Sequence, residues 1–273
     1  MIPVARQREF SDRTAVIASE TMLTVPLTLA IDGSVATISL NRPEVMNAID
    51  SHMLQALEES LDASEMNGNV RVLIIAGLGD KAFCAGADIK HVRSIQGAEK
   101  RHFIERAYRV LERIASSPLA SIAAVHGFAL GGGLELAMAC DLRIADESAT
   151  FGLPEMTLGS VPSFGAVQRL PLLVGYGVAT ELLMTGRRLR PDEARQCGLV
   201  NQVVAKGGAL SAARQMAAAL SLRPAEALRY AKLAIRHRVP AEFAAAFHAL
   251  VSEVCHNSPG YESNTQKFLN SNK

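Results

Sequence analysis

The sequence predicts an α/β protein, because strand-like apolar runs alternate with helical periodicities as far as Ala145 and helical signals dominate from Gly165 onward. The opening is a hairpin: the β-rich runs Thr24–Ile31 and Ser34–Leu40 flank Asp32-Gly33, a dipeptide that readily takes the positive φ angles of a tight turn. Asn41-Arg42-Pro43 breaks the second run. Asp50 then stands where a helix cap belongs, ahead of Met53, Leu54, Leu57 and Leu61 at helical spacing. Val72–Ala76 is a continuous apolar run of strand length, which suits a strand buried on both faces. Phe103, Ala107, Val110, Leu111 and Ile114 mark a second long helix, and Ser121–Val125 a strand that leads into Gly131-Gly132-Gly133. Leu136–Cys140 reads as helix and Leu142–Ala145 as strand, so crossover connections join the strands. Breaks at Gly186, Pro191, Gly198, Gly207, Pro224, Pro240 and Pro259 divide the remainder into helices, a terminal lobe with no second catalytic domain. The expected division is an extension over 1–23, an α/β core over 24–206 and a helical lobe over 207–273.

The chain has 273 residues, enough for one large domain with an appended lobe. Its 28 Lys and Arg nearly balance 27 Asp and Glu, and the basic residues are scattered, so no footprint for nucleic acid or an anionic membrane is visible. Cys84, Cys140, Cys197 and Cys255 form no CxxC pair and no metal-ligand cluster, which points to a reducing compartment and no metal. The longest apolar stretch, Ala123–Ala139, is interrupted by His126, Glu135 and four glycines, and so falls short of the roughly 18 uncharged residues a membrane span requires. The first 23 residues mix Arg6, Arg8 and Arg13 with Glu9, Asp12 and Glu20, without the apolar centre of a signal peptide. A poorly ordered extension is expected there, with organelle targeting as the alternative.

Gly77-Leu78-Gly79-Asp80-Lys81-Ala82 formally matches a dinucleotide fingerprint, but Phe83-Cys84-Ala85-Gly86 continues as loop where a helix should open. The triple glycine lacks the Lys-Ser or Lys-Thr of a phosphate loop, and no G-x-S-x-G nucleophile elbow occurs. Two small-residue loops are more informative: Ala82–Lys90 and His126–Glu135, each after a strand. Both can expose backbone amides to a ligand, and two amides converging on one oxygen would make an oxyanion hole. The same glycines also serve tight turns and close helix packing. His126 and Cys84 are read as structural, since neither has an identified chemical partner.

From Thr24 to about Val204 the chain resembles the crotonase superfamily, most closely its enoyl-CoA hydratase branch. The resemblance rests on Asn41-Arg42-Pro43 with Asn47-Ala48, on Ala85–Lys90, on Gly131–Ala137 followed by Asp141, and on Phe151-Gly152-Leu153-Pro154-Glu155, in family order and spacing. It implies a crotonase (ClpP-like) spiral of repeated ββα units with a C-terminal helical lobe used for oligomerisation. It further implies that the amides of Ala87 and Gly132 hold the thioester oxygen of an acyl-CoA, and that Ala85, Asp88, Ile89 and Lys90 line the coenzyme A path. Glu135 and Glu155 match the two family glutamates: Glu135 would activate water and Glu155 would deliver the α-proton. Two neighbouring carboxyls do not both ionise cheaply, which suits such a division. No cofactor is implied beyond the coenzyme A of the substrate, and the expected assembly is a homotrimer or dimer of trimers in a bacterial-type cytoplasm.

The pattern departs at Pro162-Ser163-Phe164-Gly165-Ala166, where many relatives carry Pro-Gly-Ala-Gly-Gly. Phe164 is bulky for that place and is the acyl-pocket candidate. In the tail, Ser263-Asn264 replaces a common Glu-Gly, and Lys267 and Lys273 are the basic candidates for the coenzyme A phosphate across a subunit boundary. Competing functions are a Δ3-Δ2-enoyl-CoA isomerase, which needs only one of the carboxylates, a dehydration-direction specialist, and a non-catalytic coenzyme A- or RNA-binding relative. Retention of both glutamates favours hydration.

Overall fold

A computed structural model describes residues 25–237 and 240–271. The extension over 1–23 and Lys273 lie outside them. Between Val72 and Gly152 the chain lays strands alternately into two sheets. The larger has the order β1 (Leu27–Asp32), β2 (Val35–Leu40), β3 (Val72–Gly77), β5 (Ala120–Val125), β7 (Leu142–Asp146), β10 (Gln202–Val204). The smaller runs β4 (Ala82–Cys84), β6 (Phe128–Leu130), β8 (Thr150–Gly152), β9 (Arg188–Leu189). Each of β3, β5 and β7 is followed by one strand of the small sheet and then by helix: α2 (Ile89–Ser94) and α3 (Gly97–Ser116), then α4 (Gly132–Ala139), then α5 (Ala166–Val174) and α6 (Tyr176–Thr185). This is the repeated ββα spiral.

Only the opening hairpin of the large sheet is antiparallel, with Asp32 paired to Val35, so the turn is Gly33-Ser34, one residue beyond the expected dipeptide. Gly33 supplies the positive φ of 56°. Asp50 caps α1 (Ser51–Met66) by accepting the Met53 amide at 2.8 Å, and the predicted apolar stripe of that helix is fully buried. β3 shows why a continuous apolar run suits a central parallel strand. Leu73 and Ile75 join the cluster that includes α1, α3 and α4 residues, while Val72, Ile74 and Ala76 face the other way with Ala209, Ala213 and Ala217 of α8 (Ala209–Ser221). Those alanines recur every four residues, so α8 presents a smooth stripe to the sheet. It follows that α8, beyond Gly207, packs on the sheet itself.

Three readings are corrected. Ala82–Cys84 and Phe128–Leu130 are short strands inside segments read as loop, and β9 and β10 lie in the stretch read as almost wholly helical. Their two or three residues carry no periodicity, and neighbours distant in sequence decide their conformation. α4 also begins at Gly132, four residues before the expected start, so Glu135 sits in a first helical turn.

After α7 (Pro191–Gln196) and α8 come α9 (Ala225–His237), α10 (Ala241–His256) and α11 (Pro259–Ser271). Lys232 fastens α9 to the core: its Nζ lies 2.9 Å from Asp141 and donates to Leu119 O at 2.8 Å. Asp141 in turn accepts the amide and hydroxyl of Ser121 on β5. Among the described residues no helix is long and apolar enough to cross a membrane.

Candidate active site

The two glycine-bearing loops leave adjacent parallel strands, since β4 pairs with β6, and they are therefore delivered side by side. Their approach is close enough to require glycine. A Cβ on Gly133 would lie 2.0 Å from Cys84 O, and one on Gly86, whose φ is 103°, would lie 2.8 Å from Leu130 O. A Cβ on Gly132 would stand 3.4 Å from Ala87 N, so the amides of Ala87 and Gly132 are near neighbours. Gly132 opens α4, where the first amides have no helical acceptor. Among the described residues no backbone carbonyl receives either amide.

The Asn41-Arg42-Pro43 and Asn47-Ala48 motif braces the first loop. Ile49 N donates to Gly86 O and Asp88 N to Ile49 O, both at 2.8 Å, and Ala85 N donates to Met46 O at 2.9 Å. Buried Asn47, at φ 56°, receives Arg42 N on Oδ1 and gives Nδ2 to Leu78 O and Ala82 O. The Arg42 guanidinium reaches Ala48 O at 2.7 Å, Asp50 at 2.9 Å and Asp88 at 3.0 Å. The Asp88 carboxylate also caps α2 through the amides of Lys90 and His91. Burial works against its charge, but the His91 amide and Arg42 outweigh that and hold it below the usual carboxylate range. Asp88 thus serves the loop's frame through its side chain. Ile89 and Lys90 are exposed on α2 beside it, and Ala85 is half-buried.

Glu135 is almost fully buried, at 1% exposure. Its Oε1 accepts the amides of Phe164 and Ala166, each at 2.8 Å, the latter at the N-terminus of α5. Burial pushes its carboxyl up to about 7; the Ala166 amide pulls down, nearby Glu155 pushes up, and the Phe164 amide and Arg169 pull down. Glu155 belongs to the 3₁₀ turn Pro154–Leu158 immediately after β8. β8 runs parallel to β6 with Leu130 opposite Gly152, and Gly131 N donates to Gly152 O at 2.9 Å. That pairing brings Glu155 to the start of α4, where a Cβ on Gly131 would lie 2.7 Å from Glu155 Oε1. Burial raises the Glu155 carboxyl, and among the described residues its buried Oε2 has no hydrogen-bond partner.

Phe164 completes the site, with its backbone on Glu135 and its ring against Gly132, where a Cβ would fall 2.8 Å from the ring edge. The ring packs edge-on against Phe103 of α3, centroids 6.0 Å apart, and Phe103 does the same with His91 of α2 at 5.1 Å. Lys267 is exposed on α11. Three participants carry no signal in the sequence. Arg169 donates to Phe164 O at 2.9 Å, and the 164 and 166 amides act through backbone atoms that every residue possesses. Chemically, the site offers two carboxyls with raised proton affinity next to two free amides, the equipment for proton transfer beside a carbonyl whose oxygen gains charge.

Comparison with known proteins agrees. A sequence model of the family described as Enoyl-CoA hydratase/isomerase matches residues 30–266. The chain is 36% identical over 244 residues to the short-chain-enoyl-CoA hydratase of Clostridium acetobutylicum, covering 89% of this chain and 94% of that protein. It is 43% identical over 199 residues to the crotonyl-CoA hydratase of Syntrophomonas wolfei, covering 73% of this chain and 76% of that one. The crystal structure of an enoyl-CoA hydratase from Bacillus anthracis superposes with a TM-score of 0.86 at 36% identity, covering 90% of this chain and 96% of that chain. A matching family profile, extended identity and a shared fold together place this chain in the enoyl-CoA hydratase/isomerase family.

Proposed function

We propose that the protein is an enoyl-CoA hydratase that adds water across the α,β double bond of a 2-enoyl-CoA, or removes it in reverse. One observation carries the reading: Glu135 and Glu155 converge beside the free amides of Ala87 and Gly132, and their hydrogen-bonding differs in the direction the reaction needs. Two amides on Oε1 offset part of the burial that raises Glu135, so its carboxyl, at about 7, can reach near neutral pH the ionised form that orients a water and takes its proton. Glu155, whose Oε2 lacks a donor, favours the protonated form and delivers a proton to the α-carbon. Attack at the β-carbon moves charge onto the thioester oxygen, where the two amides are worth most in the transition state. A Glu135 carboxyl near 7 is matched to a neutral working pH.

The chemistry requires no metal or redox cofactor, and coenzyme A arrives with the substrate. Ala85, Ile89 and Lys90 flank its path, with Asp88 holding the loop in shape. Phe164 bounds the acyl pocket. The exposed apolar residues of the lobe, among them Phe243 and Leu250 on α10 at 62% and 63% exposure, support a homotrimer or dimer of trimers. A cytoplasmic role in fatty acid breakdown of the β-oxidation type fits this activity.

The test is loss of the 2-enoyl thioester absorbance with crotonyl-CoA. Turnover should fall on the order of a thousandfold in each of Glu135→Gln and Glu155→Gln. Turnover that survives Glu155→Gln would move the reading to double-bond isomerisation. A folded protein that binds coenzyme A without any turnover would end it.

A further inference from the structure

The loop that donates to Glu135 is itself held from outside the site. The peptide group between its two donor residues presents the Phe164 carbonyl, which accepts from Arg169 NH1 at 2.9 Å. Arg169 NH2 lies 2.8 Å from Glu112 Oε2 on α3, and the other oxygen of Glu112 pairs with Arg236 of α9. Gly165 makes this possible: a Cβ there would fall 1.9 Å from Arg169 NH1, so only the bare backbone at φ 117° lets the guanidinium nest against the loop. An Arg side chain at 13% exposure is thus committed to one carbonyl and one carboxylate, in a fork that a Lys does not reproduce.

We propose that Arg169 is a positioning residue for Glu135: by gripping the Phe164 carbonyl it aims the Phe164 and Ala166 amides at Oε1, and through Glu112 and Arg236 it ties that aim to the seating of the terminal lobe. The proposal rests on the hydratase reading for its kinetic consequences, though not for its structural one. With Oε1 fixed, Oε2 is the oxygen left for the reacting water. A loosened loop frees the carboxyl to rotate and removes donors that favour its charge. Among the charged and titratable groups on elements packed around α4 are Glu155 beyond β8, Tyr108 and Glu112 on α3, Cys84 on β4, and Arg143 on β7. Of these, Glu155 acts on Glu135 directly, Tyr108 acts on Arg169, and Arg143 is engaged with carbonyls at the far end of α4.

The experiment uses the full chain and the variants Arg169→Gln, Arg169→Lys and Glu112→Gln, with two readouts: crotonyl-CoA kinetics, and titration of the Glu135 carboxyl by infrared difference spectroscopy against Glu135→Gln. In Arg169→Gln, kcat should fall on the order of tenfold to a hundredfold while KM changes by less than about threefold. The Glu135 titration should move to higher pH in the same variant. Arg169→Lys, keeping the charge without the fork, should recover part of the titration shift, and Glu112→Gln should shift it the same way by less. A folded Arg169→Gln protein whose Glu135 titrates as in the wild type overturns the proposal, whatever its rate. If Arg169→Gln does not fold, the other two variants decide by the same criterion. Because the infrared titration needs no turnover, a wild type inactive on crotonyl-CoA would sink the hydratase reading and leave the positioning claim to be judged separately.

Discussion

Glu135 has a folded-state carboxyl at about 7, above its ordinary 4.5, with burial as the main cause. A group raised on folding binds its proton more tightly in the native state, so its contribution is full below about 4.5 and is lost as pH rises through 7. The wild type should therefore lose stability relative to Glu135→Gln over that window, on the order of 3 kcal/mol if Glu135 acted alone, as read from urea unfolding at pH 4.5 and 8. A difference that grows in the opposite direction would show that the buried carboxyl is not the proton-binding group. Phe164 sets a second expectation. Its ring occupies the space above Gly132. Replacing it with Ala should raise the relative kcat/KM for six- and eight-carbon enoyl thioesters over crotonyl-CoA, measured by competition, and an unchanged ratio would remove Phe164 from the acyl pocket.

Among the elements, α1 and α4 use their N-termini differently. The N-terminus of α1 is closed by Asp50, which also meets Arg42 at 2.9 Å. Asp50→Ala should cost about 1–2 kcal/mol in denaturant unfolding, and Asp50→Asn should retain the capping share of that. The N-terminus of α4 is left open by glycines, with no side-chain cap, and this frees its first amides for a ligand. Its other end is closed by Arg143, 3% exposed, whose guanidinium donates to Cys140 O at 2.7 Å and to Leu199 O at 2.6 Å. Burial lowers the proton affinity of this arginine, while the nearby charge of Asp141 and the carbonyl at the end of the helix support its charged form. Gly133 permits the close passage of α4 over β4. Gly133→Ala should abolish turnover and lower the melting temperature, since the added methyl meets backbone at 2.0 Å and cannot displace a flexible side chain.

The whole molecule consists of a two-sheet core with a lobe fastened at a few polar points. Lys232, 10% exposed, meets Asp141 and two carbonyls, and Arg236 meets Glu112. Phe243, Leu250 and Val254 lie along one face of α10 at helical spacing and are exposed in the single chain. A patch of that kind suits a partner surface, and the proposed assembly through the lobe would cover it. Phe243→Asp with Leu250→Asp should shift sedimentation velocity from the assembled species to a monomer. A wild type that sediments as a monomer at micromolar concentration would rule out assembly through this face.

The parts legible from residues alone were those governed by neighbours within a few positions. The hairpin follows from Gly33, the capped α1 from Asp50 with Met53, Leu54, Leu57 and Leu61, and the two-faced β3 from an unbroken apolar run. The glycine loops could be singled out because their motifs are contiguous, and the two glutamates because those contiguous motifs resemble a known family. The rest depended on the tertiary structure. β9 and β10 are too short to carry a period and exist because β8 and β7 offer them ladder partners. Glu135 meets its amide donors across separations of 29 and 31 residues, Arg169 meets Glu112 across 57, and Arg236 meets it across 124. Donors that are backbone amides leave no trace in residue type, and the proton affinity of Glu135 is set by burial that only the packed core creates. Chain-local preferences therefore announced the elements, and resemblance to a family the two glutamates, whereas the charge state, the aim of the carboxylate and its link to the lobe came from groups brought together by the fold.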